Sequence, residues 1–258
     1  MTTPSVTSKD GTTIGYDRDG EGPPVILVVG AFNERPTGAG LAAELASAFT
    51  VINYDRRGRG SSADTLPYAV EREIEDLDAL IEVAGGQASV FGYSSGAVLA
   101  LRAAAQGLAI TNLALYDAPF QTPGTSEESW TDLAQQLDVL VKADRRGDAV
   151  ELFQTQAVGI PPEVVARLRQ APFWPGLEAL AHTLVYDALV LANPPELAGA
   201  VTTSTLVMVG EASPEALQVA ARALADQLPH GALLTLPGEG HDLAPAALGP
   251  ALEKFHQG

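Results

Sequence analysis

The chain of 258 residues is long enough for one large α/β domain, with or without an inserted segment. It contains no cysteine, which excludes disulfides, thiolate metal sites and cysteine nucleophiles. The formal net charge of −17 repels phosphate backbones and anionic lipids, so we expect neither a nucleic acid nor a membrane as partner. No stretch near the N-terminus has the basic and apolar regions of a signal peptide, and we expect a cytoplasmic protein.

Short apolar runs alternate with longer amphipathic stretches, the pattern of a parallel sheet flanked by helices. Most runs are nearly continuous in Val, Ile and Leu, as expected for strands buried on both faces. The predicted strands are Thr12–Asp17, Val25–Val29, Val51–Tyr54, Ser89–Tyr93, Leu113–Tyr116, Thr205–Val209 and Ala232–Leu236. Helices are predicted over Val70–Ala84, where apolar residues recur at helical spacing, and over Ser95–Gln106. The predicted fold class is α/β, with a mostly parallel, twisted sheet.

Residues 120–200 contain helical patterns but no convincing strand. The helical pieces, separated by segments rich in proline and glycine, are Glu128–Ala143, Ala149–Ala157, Glu163–Gln170 and Leu177–Val190. A helical block inserted late into an α/β chain is expected to cover the carboxyl edge of the sheet, where open α/β folds bind ligands. We therefore predict a core of residues 1–119 and 201–258, with residues 120–200 as a helical lid. The alternative is a second helical layer with no gating role.

The segment Gly92-Tyr93-Ser94-Ser95-Gly96 follows a predicted strand and opens a predicted helix, the setting of a nucleophile elbow. A serine at the tip of so sharp a turn has strained backbone angles, and its neighbours two residues away must be small. Ser94 is thus the candidate nucleophile, and the backbone N–H of Ser95 is a candidate donor to an oxyanion. The alternative is that Ser94 only caps the following helix.

Two further segments resemble parts of a known family. NYDRRGRGSS at 53–62 resembles the loop after the fourth strand in the α/β-hydrolase fold superfamily, and VVGAF at 28–32 resembles its oxyanion loop. With the serine motif, the similarity extends over nearly the whole chain. Val29 stands where members commonly carry histidine, while Gly30 and Ala31 keep the small turn. The resemblance implies the α/β-hydrolase fold and makes the N–H of Ala31 the second oxyanion donor.

The resemblance also implies a histidine in the loop after the last strand, since the family order is serine, acid, histidine. His241 lies in the glycine-rich segment PGEGHDL, directly after the last predicted strand. We therefore expect His241 to be the general base, the alternative being an ordinary surface histidine. His230 precedes that strand and His256 lies in the C-terminal tail, so both are expected to face solvent.

The acid is the point at which the sequence departs from the family. Members usually carry it after the penultimate strand, near the position that is Ser213 here, and a serine lacks the charge that stabilises an imidazolium. Asp117 ends the preceding strand, a position that some members use, and we predict it as the relocated acid. Glu211 is the second candidate. A neutral Ser213 bonded to His241, or no acid at all, are the remaining possibilities.

Several residues near these segments are candidates for a substrate pocket, although packing in the core or lid explains the aromatic ones equally well. They are Phe32, Asn33, Tyr93, Phe120, Phe173 and Trp174. Arg56, Arg57 and Arg59 could hold a substrate carboxylate, but pairing with nearby acidic residues is the simpler interpretation. No motif for a metal, a nucleotide or an organic cofactor is found, and we expect none.

A serine paired with a histidine implies acyl transfer. We therefore predict a cofactor-free serine hydrolase that acts through an acyl-enzyme on a small ester, lactone or thioester. The aspartate nucleophile of related dehalogenases and epoxide hydrolases is replaced here by Ser94. The alternatives are a lyase or cyclase that uses the same pocket, and a ligand-binding protein whose triad has degraded. The sequence is compatible with a monomer or a homodimer.

Overall fold

An eight-stranded sheet forms the centre of the fold in the computed structural model, which describes residues 4–121, 124–192 and 196–257. The strands are β1 (Ser5–Thr7), β2 (Thr13–Asp19), β3 (Pro24–Val28), β4 (Thr50–Tyr54), β5 (Ala88–Tyr93), β6 (Ile110–Tyr116), β7 (Thr205–Gly210) and β8 (Gly231–Leu236). Their order is β1-β2-β4-β3-β5-β6-β7-β8. Strands β1 and β2 run antiparallel to their neighbours, while the others are mutually parallel. The predicted mostly parallel sheet is confirmed.

Helices cover both faces of the sheet, and this explains the nearly continuous apolar strands. In β3, Ile26 and Val28 pack into the core on one face, whereas Val25 and Leu27 pack into the core on the other. Successive side chains of a strand point to opposite faces, so a strand with helices on both sides has no polar face. The strand Ser5–Thr7 was not predicted, because this short edge strand is only partly buried and has no apolar run.

The helices begin and end as follows. They are α1 (Arg35–Leu45), α2 (Val70–Ala84), α3 (Ser95–Ala105), α4 (Glu127–Lys142), α5 (Arg146–Gln156), α6 (Pro162–Leu168), α7 (Trp174–Ala179), α8 (Thr183–Leu191), α9 (Glu215–Gln227) and α10 (Pro245–Gln257). Helices α1 and α10 lie on one face of the sheet, and α2, α3 and α9 lie on the other. Within the described residues, no helix has the length and apolar character needed to span a membrane.

Helices α4 to α8 form the block between β6 and β7, and α8 packs against α2 and α3. The helix predicted over Leu177–Val190 is divided into α7 and α8. The N–H and the hydroxyl of Thr183 both donate to the carbonyl oxygen of Leu180, at 2.9 and 2.8 Å, and this turn interrupts the helix. The role of the block as a lid stays a prediction.

Candidate active site

Four segments that were singled out in the sequence meet at the carboxyl edge of the sheet. Ser94 follows β5, Asp117 follows β6, the loop at 30–33 follows β3, and His241 lies beyond β8. Because β3, β5, β6 and β8 are parallel, the segments that follow them emerge at the same edge. The α/β topology therefore brings residues from four distant parts of the sequence to one place.

Ser94 occupies the sharp turn between β5 and α3. Its φ of 55° and ψ of −128° are sparsely populated for a residue with a side chain. A Cβ at Gly92 would lie 2.5 Å from Cα of Ala97, and one at Gly96 would collide with the carbonyl oxygen of Val28. Glycine is thus required on both sides by close passage of the backbone. The side chain of Ser94 makes no capping hydrogen bond to α3, which argues against a helix cap as its only role.

The loop after β3 passes directly over this turn. A Cβ at Gly30 would lie 2.8 Å from Cβ of Ser94 and 3.2 Å from the backbone nitrogen of Ser95. The guanidinium of Arg59 donates to the carbonyl oxygen of Gly30 at 2.6 Å. In a planar trans peptide the N–H points opposite to the C=O, so the N–H of Ala31 points away from Arg59. Within the described residues, the N–H groups of Ala31 and Ser95 donate no hydrogen bond.

Two side chains shape the rest of the loop. Asn33 donates from Nδ2 to the carbonyl oxygen of Ala31 at 2.7 Å. Phe32 has a φ of 61°, and its ring packs edge-on against Phe153 of α5 with the ring centroids 5.6 Å apart. The loop is therefore held by a hydrogen bond from Arg59 and by ring packing against the helical block.

Asp117 and His241 are in direct contact. Oδ2 of Asp117 lies 2.8 Å from Nδ1 of His241, and Asp117 is fully buried. The same oxygen accepts a hydrogen bond from the hydroxyl of Ser213 at 2.7 Å, and Oδ1 accepts one from the N–H of Gly210 at 3.2 Å. A buried carboxylate needs such donors, since its charge is costly without them. The carboxylate is thus held in place by β7 and its following loop.

The two other candidate partners of the histidine have different contacts. Glu211 is exposed, and its Oε2 accepts a hydrogen bond from the N–H of Gly238 at 2.9 Å. Ser213 bonds to the Asp117 carboxylate rather than to the imidazole. Among the described residues, Asp117 is therefore the carboxylate in contact with His241.

Two tyrosines fix the loop that carries His241. The hydroxyl of Tyr93 donates to the carbonyl oxygen of His241 at 2.7 Å, and that of Tyr116 donates to the carbonyl oxygen of Gly240. Burial raises the pKa of both tyrosines well above the usual range, so they remain protonated donors. With Nδ1 facing Asp117, Nε2 is the ring nitrogen of His241 left for a second partner. No hydrogen bond joins Ser94 to His241 within the described residues, but both line the same cavity.

This cavity has a volume of about 440 Å³ and lies between the edge of the sheet and the helical block. Its wall contains Ala31, Phe32, Asn33, Tyr93, Ser94, Ser95 and His241 from the predicted site. The helical block contributes further residues to the wall that were not predicted from the sequence. Among them are Trp130, Phe153, Gln154, Ile160 and Leu191. Their sequence signal is the ordinary helical pattern of apolar residues, which does not separate a cavity wall from a core.

Three residues predicted for the pocket lie elsewhere. Phe120 is fully buried in the hydrophobic core. Trp174 is also buried there, and its Nε1 donates to Glu178 at 2.9 Å, one turn along α7. Phe173 is 54% exposed at the surface. The directions of these side chains are set by helix packing, which their positions in the sequence did not reveal.

Arg56, Arg57 and Arg59 are buried and paired with acidic residues, as the simpler interpretation of the sequence held. Arg56 bonds to Glu73, and Arg57 bonds to Asp76, both of which lie in α2. Arg56 and Arg59 also bind the two carboxylate oxygens of a further residue, Asp187 of α8, at 2.8 and 2.7 Å. None of the three guanidinium groups is therefore available to a substrate carboxylate.

Asp187 links this cluster to the sharp turn between β5 and α3. It is fully buried and accepts a hydrogen bond from the hydroxyl of Ser95 at 2.8 Å. Burial opposes its ionisation, but the adjacent guanidinium groups of Arg59 and Arg56 hold the pKa of the carboxyl below its usual range. A charged residue of the helical block thus contacts both the turn at Ser94 and Ser95 and the arginine that binds the loop after β3.

The described ranges contain no group of three or more His, Asp or Glu side chains placed to hold a metal ion. The polar groups at the sheet edge are instead a serine, an imidazole with its carboxylate, and two backbone N–H donors. That combination can perform nucleophilic attack with proton transfer and stabilise a developing oxyanion.

Comparison with known proteins decides the family. A model described as the alpha/beta hydrolase family matches residues 25–248. The chain belongs to the alpha/beta hydrolase family. The resemblance seen in the sequence is confirmed, and with it the expectation of an enzyme of the hydrolase class.

This alpha/beta hydrolase has relatives of known structure or name. It is 50% identical to an alpha/beta hydrolase from Sphaerobacter thermophilus, with 98% of this chain and 100% of that chain covered and a TM-score of 0.89. It is 38% identical over 95 residues to an uncharacterized hydrolase, YraK, of Bacillus subtilis, and 36% identical over 109 residues to the N-formylmaleamate deformylase of Pseudomonas putida. The matched segments span 35% and 41%, respectively, of both chains in each pair.

Proposed function

We propose that this alpha/beta hydrolase is a serine hydrolase that cleaves a small ester, lactone or thioester through an acyl-enzyme. The observation that carries the proposal is the hydrogen bond between buried Asp117 and Nδ1 of His241. Ser213 occupies the position where members of the family usually carry the acid, and a serine has no negative charge to offer. A carboxylate in contact with the imidazole supplies the charge that stabilises an imidazolium.

The reaction follows from the positions of these groups. Nε2 of His241 takes the proton of the Ser94 hydroxyl as its oxygen attacks the substrate carbonyl. The N–H groups of Ala31 and Ser95 donate to the negative oxygen of the tetrahedral intermediate. When the intermediate collapses, the imidazolium returns the proton to the leaving group and the acyl group stays on Ser94. Water, activated by the same imidazole, then releases the acid and restores the serine.

Asp117 has an electrostatic and a geometric part in this mechanism. Its carboxylate directs Nε2 toward the cavity by accepting from Nδ1, and it stabilises the positive charge that forms on the ring. The hydrogen bonds from Ser213 and Gly210 keep this carboxylate in one orientation. We propose, accordingly, that β7 supplies the donors that hold the acid rather than the acid itself.

We further propose that helices α4 to α8 act as a cover for the cavity. Trp130 of α4 and Phe153 of α5 are part of its wall, so the substrate lies between these helices and the sheet. A covered site excludes water from the acylation step and strengthens the electrostatic interactions inside. The ligand-binding alternative depended on a degraded triad, and the contact of Asp117 with His241 favours an intact one.

Hydrolysis of p-nitrophenyl acetate and butyrate tests the proposal. We expect turnover by the wild type and background rates for Ser94→Ala. Ser47→Ala, at an exposed serine just after α1, is the matched control and should keep the wild-type rate. Equal rates for Ser94→Ala and the wild type would contradict the proposal.

A further inference from the structure

Tyr93 and Tyr116 form a stacked pair at the carboxyl edge of the sheet. They are the last residues of β5 and β6 and lie opposite each other in the parallel register. Their ring centroids are 6.0 Å apart, and both side chains pack on the face of the sheet that α10 covers. Tyr93 is 7% exposed and Tyr116 is fully buried. A buried tyrosine hydroxyl needs a hydrogen-bond partner, and both hydroxyls find theirs in the same loop.

That loop joins β8 to α10 and carries His241. The hydroxyl of Tyr93 donates to the carbonyl oxygen of His241 at 2.7 Å, and that of Tyr116 donates to the carbonyl oxygen of Gly240. The ring of Tyr93 also lies beside the imidazole, with the ring centroids 5.0 Å apart. Two successive carbonyl groups of the loop are thus bound by side chains from two adjacent strands.

The loop has a long way to go from β8 to Asp117. In the sheet, β7 lies between β8 and β6, the strand that Asp117 follows. Neighbouring strands are about 4.8 Å apart, so the loop must cross about 10 Å. It passes directly over the end of β7, since a Cβ at Gly210 would lie 2.3 Å from the carbonyl oxygen of Glu239. An acid at the end of β7, the usual place in the family, would require a crossing about half as long.

The backbone of this loop needs support to hold one position. It contains Gly238, with a φ of 73°, and Gly240, and glycine has more conformational freedom to lose than any other residue. Over the end of β7 the loop is held by the N–H of Ala212, which donates to the carbonyl oxygen of Glu239 at 2.7 Å. The next two carbonyl groups along the chain are those bound by the tyrosines. The two tyrosines therefore hold the part of the loop that extends beyond β7.

We propose that Tyr93 and Tyr116 are positioning residues that hold the histidine loop beyond β7, so that His241 reaches the acid at the end of β6. Their hydroxyls take no part in proton transfer, because each donates to a backbone carbonyl. Without them, two carbonyl oxygens lose their partners and the loop shifts toward water, which separates Nδ1 of His241 from Asp117. The inference rests on the proposed function for the role of His241 in turnover, but the position of its ring can be measured without turnover.

The turnover experiment compares ethyl butyrate with p-nitrophenyl butyrate. Ethoxide leaves only with a proton from the imidazolium, whereas p-nitrophenolate leaves without one, so a misplaced imidazole lowers kcat/KM more for the ethyl ester. We expect Tyr116→Phe to lower kcat/KM for ethyl butyrate about tenfold, the effect of one hydrogen bond, and Tyr93→Phe/Tyr116→Phe to lower it about 100-fold. The value for p-nitrophenyl butyrate should fall less in both variants.

Tyr54→Phe is the matched control. Tyr54 is likewise the buried last residue of a strand, but its hydroxyl has no hydrogen-bond partner among the described residues. Its kcat/KM should equal that of the wild type for both esters. A variant that merely folds less well contains less active protein and loses the same fraction of activity on both esters. Equal fractional losses on the two esters in Tyr116→Phe, or no loss in the double variant, would overturn the inference.

Proton NMR separates this inference from the proposed function. The Nδ1 proton of His241, bonded to a buried carboxylate, should resonate far downfield of the amide protons, and His241→Gln identifies its signal by removing it. We expect this signal in the wild type and in Tyr54→Phe, and its broadening or loss through exchange with water in Tyr93→Phe/Tyr116→Phe. That result supports the role of the tyrosines even if the wild type hydrolyses no ester and the proposed function fails. An equally sharp signal in the double variant, or no signal in the wild type, overturns that role even if hydrolysis is observed.

Discussion

Oδ2 of Asp117 lies 2.8 Å from Nδ1 of His241, although Asp117 follows β6 and His241 follows β8. The intervening strand, β7, and the loop after it contribute two hydrogen-bond donors to the same carboxylate. In the proposed mechanism, the acid lies one strand earlier than in the usual arrangement of this family. The contact with the histidine is kept because neighbouring strand ends lie close together at the sheet edge.

Asp117→Asn should lower kcat for p-nitrophenyl butyrate by roughly 10³–10⁴-fold, since an amide neither stabilises the imidazolium nor fixes the correct tautomer. Glu211→Gln is the matched control, because Glu211 is exposed and bonded to Gly238, and its kcat should stay within about twofold of the wild type. Steady-state kinetics on variants with unchanged far-UV circular dichroism provides the measurement. A large loss of kcat in Glu211→Gln, with none in Asp117→Asn, would show that Glu211 and not Asp117 is the acid.

A carboxylate at position 213 should partly rescue the loss of Asp117. The hydroxyl of Ser213 lies 2.7 Å from the same carboxylate oxygen that faces His241, so an aspartate there would reach the imidazole. We expect Asp117→Asn/Ser213→Asp to be at least about tenfold more active than Asp117→Asn, the effect of one charge-assisted hydrogen bond. The comparison needs kcat for both variants under identical conditions. A folded double variant that is no faster would mean that the strand end at β7 no longer has the required geometry.

Asp187→Asn should destabilise the protein and slow catalysis. Losing this charge leaves Arg56 and Arg59 incompletely neutralised in the interior, which costs about 3–5 kcal/mol of unfolding free energy. Because Arg59 also bonds to the carbonyl oxygen of Gly30, the oxyanion loop should loosen and kcat should fall.

Urea unfolding and kcat, measured on the same samples, test this prediction. Asp148→Asn is the control within the helical block, since Asp148 pairs with Arg145 and Arg169 but its side chain is 32% exposed. We expect that variant to lose about 0–1 kcal/mol and to keep its kcat. Similar losses of unfolding free energy in the two variants would contradict the prediction that Asp187 contributes more to stability than a half-buried acid of the same helical block.

His256 should make the stability of the protein sensitive to acid. Contrary to the expectation of a solvent-facing tail, it is largely buried beside Phe49, and neither ring nitrogen has a hydrogen-bond partner among the described residues. Burial lowers the pKa of His256 from 6.5 to about 4. Between these values the unfolded chain binds the proton and the folded chain does not, so stability falls as the pH falls from about 6.5 toward 4.

The loss of unfolding free energy between pH 7 and pH 5 should be smaller in His256→Phe than in the wild type by about 2 kcal/mol. His230→Gln, at an exposed histidine, should leave the loss unchanged. Urea denaturation of the three proteins at both pH values provides the measurement. If unfolding free energy decreased as much in His256→Phe as in the wild type between the two pH values, other groups would be the cause of the acid sensitivity.

The parts of the fold that were predictable have strong local causes. The helix Val70–Ala84 was predicted with its observed bounds, because its apolar residues recur at helical spacing and Gly85 ends it in the left-handed region. The sharp turn at Ser94 could be recognised from the sequence because it requires glycine at positions 92 and 96. There a side chain would collide with the backbone. Asp117 could be singled out because it ends a buried strand.

Other features depend on contacts between residues far apart in the sequence. Asp187 binds Arg56 across 131 residues, and no local pattern distinguishes it from other acidic residues of the helical block. The rings of Phe120 and Trp174 turn into the core, which follows from how the helices pack. The same applies to Gln154, since only its packed surroundings show that it is a buried residue of the cavity wall.

The most direct test of the account is to trap the acyl-enzyme. Wild-type protein mixed with p-nitrophenyl butyrate is quenched in acid within the first turnovers, digested, and analysed by mass spectrometry for the peptide that contains Ser94 and Ser95. The account predicts one butyryl group on Ser94 in the wild type and in Ser95→Ala, and none in Ser94→Ala. Turnover without any acylated serine, or an acyl group that persists in Ser94→Ala, would contradict it.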